Sequence, residues 1–239
     1  AKTTDLKGKT ILVSQDSHGF AAAVSKRIKA MGGKVVTLAH TPGQTSKAKA
    51  DLKLDLSDVT ALEAGMAAVK NKLSGLNGFI HLAPLDFYFN RQDSPFATDE
   101  ELAVTVKSAF VLIKHLFEDL DKAGNILGTI AFDSVVFPYK EGFGEIHPMF
   151  AGLSGLMKTV NKEMPDTRVK VVDFSYKQPK KSIARISDLF LAELLGEDAR
   201  CEVGYANKKR YVLSMHQSIA DKTAQVVDQG DTLLVTGGA

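Results

Sequence analysis

The sequence is poor in cysteine, lacks tryptophan and contains no long uninterrupted apolar run. Its single thiol, Cys201, excludes an internal disulfide and a cysteine-based zinc cluster. No segment reaches the roughly 18 apolar residues needed to cross a bilayer, and no signal peptide is recognisable. We therefore expect a cytoplasmic protein with no membrane partner.

An excess of charge of one sign is also missing, because 30 basic residues nearly balance 28 acidic ones. The basic clusters at 180–181 and 208–210 are too short and too dispersed to predict a nucleic-acid partner. Nucleophile-elbow and phosphate-loop motifs are absent as well. The histidines lack the spacing of a metal site, so no metal is expected; they are His18, His40, His81, His115, His147 and His216.

The sequence does contain apolar runs that alternate with amphipathic segments. Helical spacing predicts helices between the runs, including a long one at 99–120 and another at 147–163. This alternation indicates an α/β fold, a doubly wound parallel sheet with helices on both faces. Six runs predict its strands, at 9–14, 34–39, 52–58, 76–84, 125–134 and 168–174.

The pattern changes after residue 180. A helix is predicted near 182–195, and the apolar alternation around 206–208 predicts a C-terminal β-hairpin. Residues 216–230 are polar and weakly periodic, which is typical of a linker. We therefore predict one structural unit over 1–215, a linker over 216–230, and the first strand and glycine turn of a following subdomain at 231–239, "DTLLVTGGA".

The turn after the first strand carries the first resemblance to a known family. It is "SQDSHGFA", residues 14–21, and with the strand and helix pattern it resembles the short-chain dehydrogenase/reductase superfamily over residues 8–175. That family has Thr-Gly-x-x-x-Gly-Ile-Gly here, in a Rossmann-like fold, and binds a nicotinamide cofactor's pyrophosphate at the helix N-terminus. Only Gly19 of the glycines is kept. Gln15 places a side chain where the family has bare backbone, and Ala21 hinders the close packing of the helix. Asp16 places a negative charge near the position of the cofactor's negatively charged phosphate. We therefore interpret Gly19 as vestigial and expect no cofactor bound by this chain.

Two weaker similarities to the family follow further along the chain. Asp55, followed by Leu56, matches the position that hydrogen-bonds adenine in the family, and 81–84, "HLAP", replaces its Asn-Asn-Ala-Gly stretch. We interpret Asp55 as vestigial for the cofactor, and the role that we favour for it is a cap of the helix that follows.

The family's catalytic residues are a Ser and a Tyr-x-x-x-Lys pair. The segment 150–164, "FAGLSGLMKTVNKEM", resembles the helix that follows this pair, and its register places Ile146 and Phe150 at the Tyr and Lys positions. Neither side chain can transfer a proton. Ser134 lies at the family's Ser position, but without an acid to orient. Literal Tyr-x-x-x-Lys matches at 176–180 and 205–209 fall on a Pro-containing loop and a hairpin, so we predict no catalytic residue.

A reductase fold without these groups resembles the non-catalytic structural subdomain of ketoreductases in modular polyketide and multifunctional fatty acid synthases. The segments that carry this resemblance are 155–165, "GLMKTVNKEMP", and 201–215, "CEVGYANKKRYVLSM". Bacterial polyunsaturated fatty acid synthases have the most similar ketoreductases that we can name. The resemblance implies that Thr236, Gly237 and Gly238 begin the cofactor turn of a downstream catalytic half. That half would use NADPH to reduce a β-ketoacyl thioester borne by an acyl carrier protein.

The resemblance also implies a partner and leaves rival functions open. The resemblance implies that the catalytic subdomain lies in cis against the helices at 99–120 and 147–163. The first helix suits this arrangement, because it is apolar on more than one face. The alternative is that this helix is buried within its own domain. One rival function is a divergent active NADPH-dependent oxidoreductase with Tyr139 as its acid. The other is a nucleotide-sensing or binding module on a reductase fold.

Overall fold

The computed structural model describes residues 5–44, 49–69, 72–90, 98–134, 136, 148–215, 217, 230–232, 234 and 236. Its strands are β1 (Thr10–Ser14), β2 (Lys34–His40), β3 (Leu52–Leu54), β4 (Gly78–His81), β5 (Ile126–Phe132), β6 (Arg168–Ser175), β7 (Glu202–Ala206) and β8 (Lys209–Tyr211). Its helices are α1 (Phe20–Ala30), α2 (Val59–Val69), α3 (Leu85–Asn90), α4 (Asp99–Leu102), α5 (Ser108–Leu120), α6 (Pro148–Glu163) and α7 (Ile183–Leu195). Short 3-10 turns occupy Pro42–Gln44 and Pro179–Ser182.

The strands form one sheet in the order β3-β2-β1-β4-β5-β6-β7-β8. Neighbours from β3 to β7 are parallel, and only β8 is antiparallel. Helices α1 and α7 contact each other on one face, while α2 and α5 contact each other on the other. The predicted Rossmann-like doubly wound class is thereby confirmed. The order reverses between β1 and β4, so the crevice typical of such folds lies at the carboxyl ends of these two strands.

Burial on both faces explains why the central strands are uninterrupted apolar runs. All seven residues of β5 are buried, because helices cover both sides of the strand. A side chain at Gly128 would begin only 3.0 Å from the Phe190 ring of α7. A larger residue here would have to displace the Phe190 ring by a few tenths of an ångström, so glycine favours the close approach of α7 to the sheet.

Three segments differ from the sequence predictions. The third strand ends at Leu54 instead of residue 58, and the loop expected after residue 84 contains α3. The long helix at 99–120 is interrupted by a π-helical turn, Ala103–Lys107, between α4 and α5. Its first turn is fixed by a capping box, in which Thr98 and Glu101 exchange side-chain to backbone hydrogen bonds.

The C-terminal hairpin was predicted correctly. Asn207 and Lys208 both have positive φ, 49° and 64°, as the two central residues of a type I′ turn require. Glu193 of α7 binds the hairpin by accepting hydrogen bonds from Tyr205 and Arg210. The predicted linker and the glycines of 231–239 fall almost wholly outside the described residues, so the predicted boundaries stay predictions.

Candidate functional site

The first turn still has the backbone shape of an anion-binding turn. Gly19 precedes α1 with a φ of 102°, a left-handed conformation that glycine adopts without strain. No side chain of Gly19 can cap the helix, so the amides at the start of α1 need another acceptor. The one glycine that the sequence keeps is therefore the one that the backbone geometry requires.

Asp16 supplies the missing acceptor. Its Oδ2 accepts hydrogen bonds from the amides of His18 at 2.8 Å, Gly19 at 2.8 Å and Phe20 at 3.1 Å. Its Oδ1 accepts from the amide of Ala21 at 2.6 Å. A carboxylate thus occupies the N-terminus of α1, where the helix dipole favours negative charge.

A second carboxylate completes the turn from the far side of the crevice. Asp86, in the first turn of α3, accepts hydrogen bonds from both the amide and the hydroxyl of Ser17, each at 2.7 Å. The His18 imidazole lies 3.7 Å from the same carboxylate. Five consecutive amides, 17–21, are therefore satisfied by two acidic side chains of the chain itself.

These residues do not fit the pyrophosphate of a nicotinamide dinucleotide, which the fold implies. The pyrophosphate would need the amides that Asp16 and Asp86 already use. A phosphate placed within a few ångströms of two carboxylates would also be repelled. More negative charge lies nearby at Glu100, whose carboxylate is 4.0 Å from His40 at the end of β2.

Asp55 lies at the carboxyl end of β3, on the adenine side of the crevice, but its oxygens are used locally. It accepts hydrogen bonds from the Gly43 amide and from the amide and hydroxyl of Ser57. Partial burial raises the pKa of the Asp55 carboxyl, but these hydrogen bonds lower it by more, so the pKa lies below its usual value. The favoured helix-cap interpretation of Asp55 was wrong, because Asp58 precedes α2 and accepts the Ala61 amide.

The floor of the crevice is a buried polar network that replaces the family's asparagines. The Nε2–H of His81 donates to the Val104 carbonyl at 3.1 Å, so its Nδ1 accepts the Ser14 hydroxyl at 2.9 Å. Ser14 Oγ in turn accepts the amides of Leu82 and Ala83. Burial lowers the pKa of His81 to about 4, which keeps the ring neutral. The π-helical turn contributes the Val104 carbonyl that fixes this tautomer.

Aromatic rings fill the other end of the crevice, above β5. Tyr88 of α3 stacks on Phe132 with ring centroids 4.8 Å apart, and Phe89 stacks on Phe20 at 5.6 Å. Phe150 of α6 approaches Tyr88 edge-on at 6.3 Å. Sequence reasoning missed α3, since six residues carry too short a period to reveal a helix.

The catalytic positions themselves hold no proton-transfer machinery among the described residues. Ser134 is 1% exposed, and its hydroxyl donates to the Phe132 carbonyl at 2.5 Å. Phe150, which the sequence register predicts at the family's Lys position, is also 1% exposed. Ile146 and Tyr139 lie outside the described residues, as do His147, His216, Gly237 and Gly238.

Tyrosines near the site have the wrong electrostatic surroundings for an acid. Burial and the Asp133 carboxylate, 3.3 Å from its hydroxyl, raise the pKa of Tyr88 well above its usual value. A catalytic tyrosine needs the opposite shift, which a neighbouring ammonium supplies. Of the literal motif matches, Tyr176 precedes a 3-10 turn and Tyr205 lies in β7, so neither shares a helical face with its lysine.

A different kind of surface lies on α5 and α6. Phe110 and Phe117, seven residues apart on α5, are 55% and 39% exposed, while the other apolar residues expected on this helix, Val104, Val111, Leu112 and Ile113, are buried. On α6 the exposed residues include Ala151 and Gly155, and nothing lies within 4 Å of where a Gly155 side chain would begin. We call Phe110, Phe117, Ala151 and Gly155 the outer face.

Two further points concern metal binding and membrane insertion along the described part of the chain. No group of three or more His, Cys, Asp or Glu side chains there could hold a metal ion. None of the helices described is long and apolar enough to traverse a membrane.

No family model and no curated protein matches the sequence, but solved structures match the fold. An oxidoreductase of the short-chain dehydrogenase/reductase family from Brucella ovis, in complex with a partially ordered NAD, is 18% identical, with a TM-score of 0.58 over 80% of this chain and 94% of that one. A short-chain dehydrogenase from Mycobacterium smegmatis is 16% identical, with a TM-score of 0.60 over 87% and 96%. A keto acid-selecting NRPS module with adenylation, ketoreductase and pseudo Asub domains is 16% identical, with a TM-score of 0.67 over 89% of this chain and 17% of that one. At these identities the likeness establishes the architecture: the chain has the Rossmann-like fold of the short-chain dehydrogenases/reductases.

Proposed function

We propose that this chain is the non-catalytic scaffold half of an NADPH-dependent β-ketoacyl reductase in a multifunctional polyketide or polyunsaturated fatty acid synthase. The observation that carries the proposal is the set of residues at the positions that the resemblance assigns to catalysis. Phe150 puts a buried ring at the Lys position, and the Ser134 hydroxyl donates to the Phe132 carbonyl of its own strand. Neither residue can deliver a proton to a substrate's carbonyl oxygen in this arrangement.

The catalytic half is proposed to bind in cis on the outer face. Phe110 and Phe117 offer apolar area that this chain leaves in water, and burying such area is the main source of affinity between domains. The space above Gly155 allows the backbone of a partner helix to approach closely. The predicted helices 99–120 and 147–163 correspond to the elements that carry this face.

Residues 231–239 are proposed to belong to the catalytic half. Leu234 is 91% exposed and Thr236 is exposed as well, so neither side chain is buried against the sheet described above. In this proposal Thr236, with Gly237 and Gly238, starts the glycine turn that binds NADPH. The substrate is a β-ketoacyl thioester carried by an acyl carrier protein. The similarity of fold to a module that contains a ketoreductase supports the reductase fold on which this proposal rests.

The test is reconstitution of the two halves. The catalytic half is assayed for β-ketoacyl thioester reduction without this chain, with it, and with its Phe110→Glu/Phe117→Glu variant. We expect activity with the unaltered chain and with a control variant altered elsewhere, but none without the chain or with Phe110→Glu/Phe117→Glu. Met31→Glu is the matched control, because Met31 is an exposed apolar residue that follows α1 on the opposite face of the sheet. Full activity of the catalytic half alone would overturn the proposal.

A titration with NADPH separates the rival functions. The scaffold proposal expects no enhancement of nicotinamide fluorescence with the purified chain. Binding without turnover would favour a nucleotide-sensing module. Binding with turnover would favour a divergent oxidoreductase.

A further inference from the structure

We propose that Asp16 and Asp86 form an internal substitute for a cofactor's phosphates, which keeps the first turn and α3 closed without any nucleotide. This role differs from scaffolding, because it orders the first turn whatever binds the outer face. It also accounts for why these residues do not fit a dinucleotide, since the two carboxylates already accept the amides that its phosphates would need.

The first turn contains backbone N–H groups that need a hydrogen-bond acceptor, which an anion can provide. Five consecutive amides converge on the crevice, and backbone N–H groups cannot be removed by changing side chains. In a reductase that binds its cofactor, phosphate oxygens accept hydrogen bonds from such amides. Left without an acceptor, these donors would destabilise the turn and the start of α1.

The two carboxylates that accept these hydrogen bonds come from different parts of the chain. Asp16 lies within the turn and binds four amides, whereas Asp86 lies 69 residues beyond Ser17 and binds the fifth. A charged acceptor makes stronger hydrogen bonds than a neutral one. Because both acceptors are tethered, they need no ligand in solution.

Asp86 also anchors α3. From α3, Phe89 packs on Phe20 at 5.6 Å and on the His18 ring at 4.6 Å. The carboxylate and the ring thus clamp the same short helix over the turn from two sides. In this way a contact made by a ligand in an active reductase becomes a contact within the chain.

The experiment is thermal unfolding and amide hydrogen exchange of the full chain, with and without inorganic pyrophosphate at constant ionic strength. For the unaltered chain we expect no change in Tm and protected amides at 17–21. Asp16→Ala should lower Tm by about 5 °C and speed exchange of these amides on the order of tenfold. Pyrophosphate should then raise Tm and slow exchange in this variant alone.

Asp58→Ala is the matched control, because Asp58 also caps a helix but binds one amide outside the crevice. It should lower Tm without any recovery by pyrophosphate. Should Asp16→Ala fail to fold, Asp16→Asn keeps one acceptor oxygen and should show a smaller loss with the same recovery. The proposal is overturned if pyrophosphate raises the Tm of the unaltered chain as much as that of the Asp16 variant. It is also overturned if neither Asp16→Ala nor Asp16→Asn is stabilised by pyrophosphate.

Discussion

The two ends of the crevice treat their polar groups differently. At the phosphate end, at the start of α1, the amides 17–21 have charged acceptors. At what would be the catalytic end, over β5, apolar rings such as Phe132 and Phe150 are packed and buried. The difference follows from where the polar groups reside. Backbone amides survive every substitution and must be satisfied, whereas catalytic side chains can be exchanged for apolar ones.

The largest expected effect comes from trying to restore the catalytic end. Phe150→Lys should destabilise the chain by more than about 4 kcal/mol, because an ammonium would replace a ring that is 1% exposed and packs edge-on against Tyr88. Phe150→Leu keeps the site apolar and should cost about 1–2 kcal/mol. Urea unfolding of both variants measures the gap. Equal stability of the two would mean that this end is still open to water, and the comparison would fail.

The floor that joins the two ends should make stability depend on pH through His81. Burial holds its pKa at about 4 against a usual 6.5. Above pH 6.5 the imidazole is neutral in the folded and unfolded chain alike. Between 6.5 and 4 only the unfolded chain gains the proton, so the free energy of unfolding should fall by about 3 kcal/mol as the pH drops.

Comparison with His81→Gln isolates this effect from the carboxyl groups that titrate over the same range. The variant should be less stable at pH 7, because the bonds to Ser14 and Val104 are altered. Its free energy of unfolding should nevertheless fall less steeply between pH 6.5 and 4. Parallel pH curves for the two proteins would show that His81 is not held neutral by the fold.

At the phosphate end, the two carboxylates should act together. Asp16→Ala and Asp86→Ala are each expected to cost about 1–2 kcal/mol. In the double variant the costs should differ from additivity by about 0.5–1 kcal/mol, because both acceptors fix the same turn. A double-mutant cycle by urea unfolding measures this coupling. Strict additivity would mean that Asp86 holds α3 without influencing the turn.

The sequence allowed the architecture to be predicted because buried strands and amphipathic helices are periodic. The register of the 150–164 helix predicts Phe150 at the family's Lys position, and the end of the fifth strand predicts Ser134 at its Ser position; these two assignments stay predictions. From its charge, the sequence identified Asp16 as an obstacle to phosphate binding. The role of Asp16 as the acceptor of four amides depends on the 102° φ of Gly19, which no side-chain pattern reveals. The available signal for this role was a carboxylate four residues before the start of α1, a helix that has no side-chain cap at Gly19.

Other features could not be predicted, since they arise from contacts between distant segments. The six residues of α3 gain their order from Phe20 and Phe132, which lie far away along the chain. For Asp55, the sequence left two roles open, and the cap role belongs to Asp58 because it lies directly before Val59, the first residue of α2.

The smallest expected effect on the isolated chain concerns the outer face, which contrasts with both ends of the crevice. Phe110 is 55% exposed, so Phe110→Ala removes few contacts and should change the free energy of unfolding by less than about 0.5 kcal/mol. Met31→Ala, at 47% exposure, should behave alike. The two should separate only when the catalytic half is added, where Phe110→Ala weakens association and Met31→Ala does not. A large loss of stability in isolated Phe110→Ala would instead assign this ring to the chain's own core.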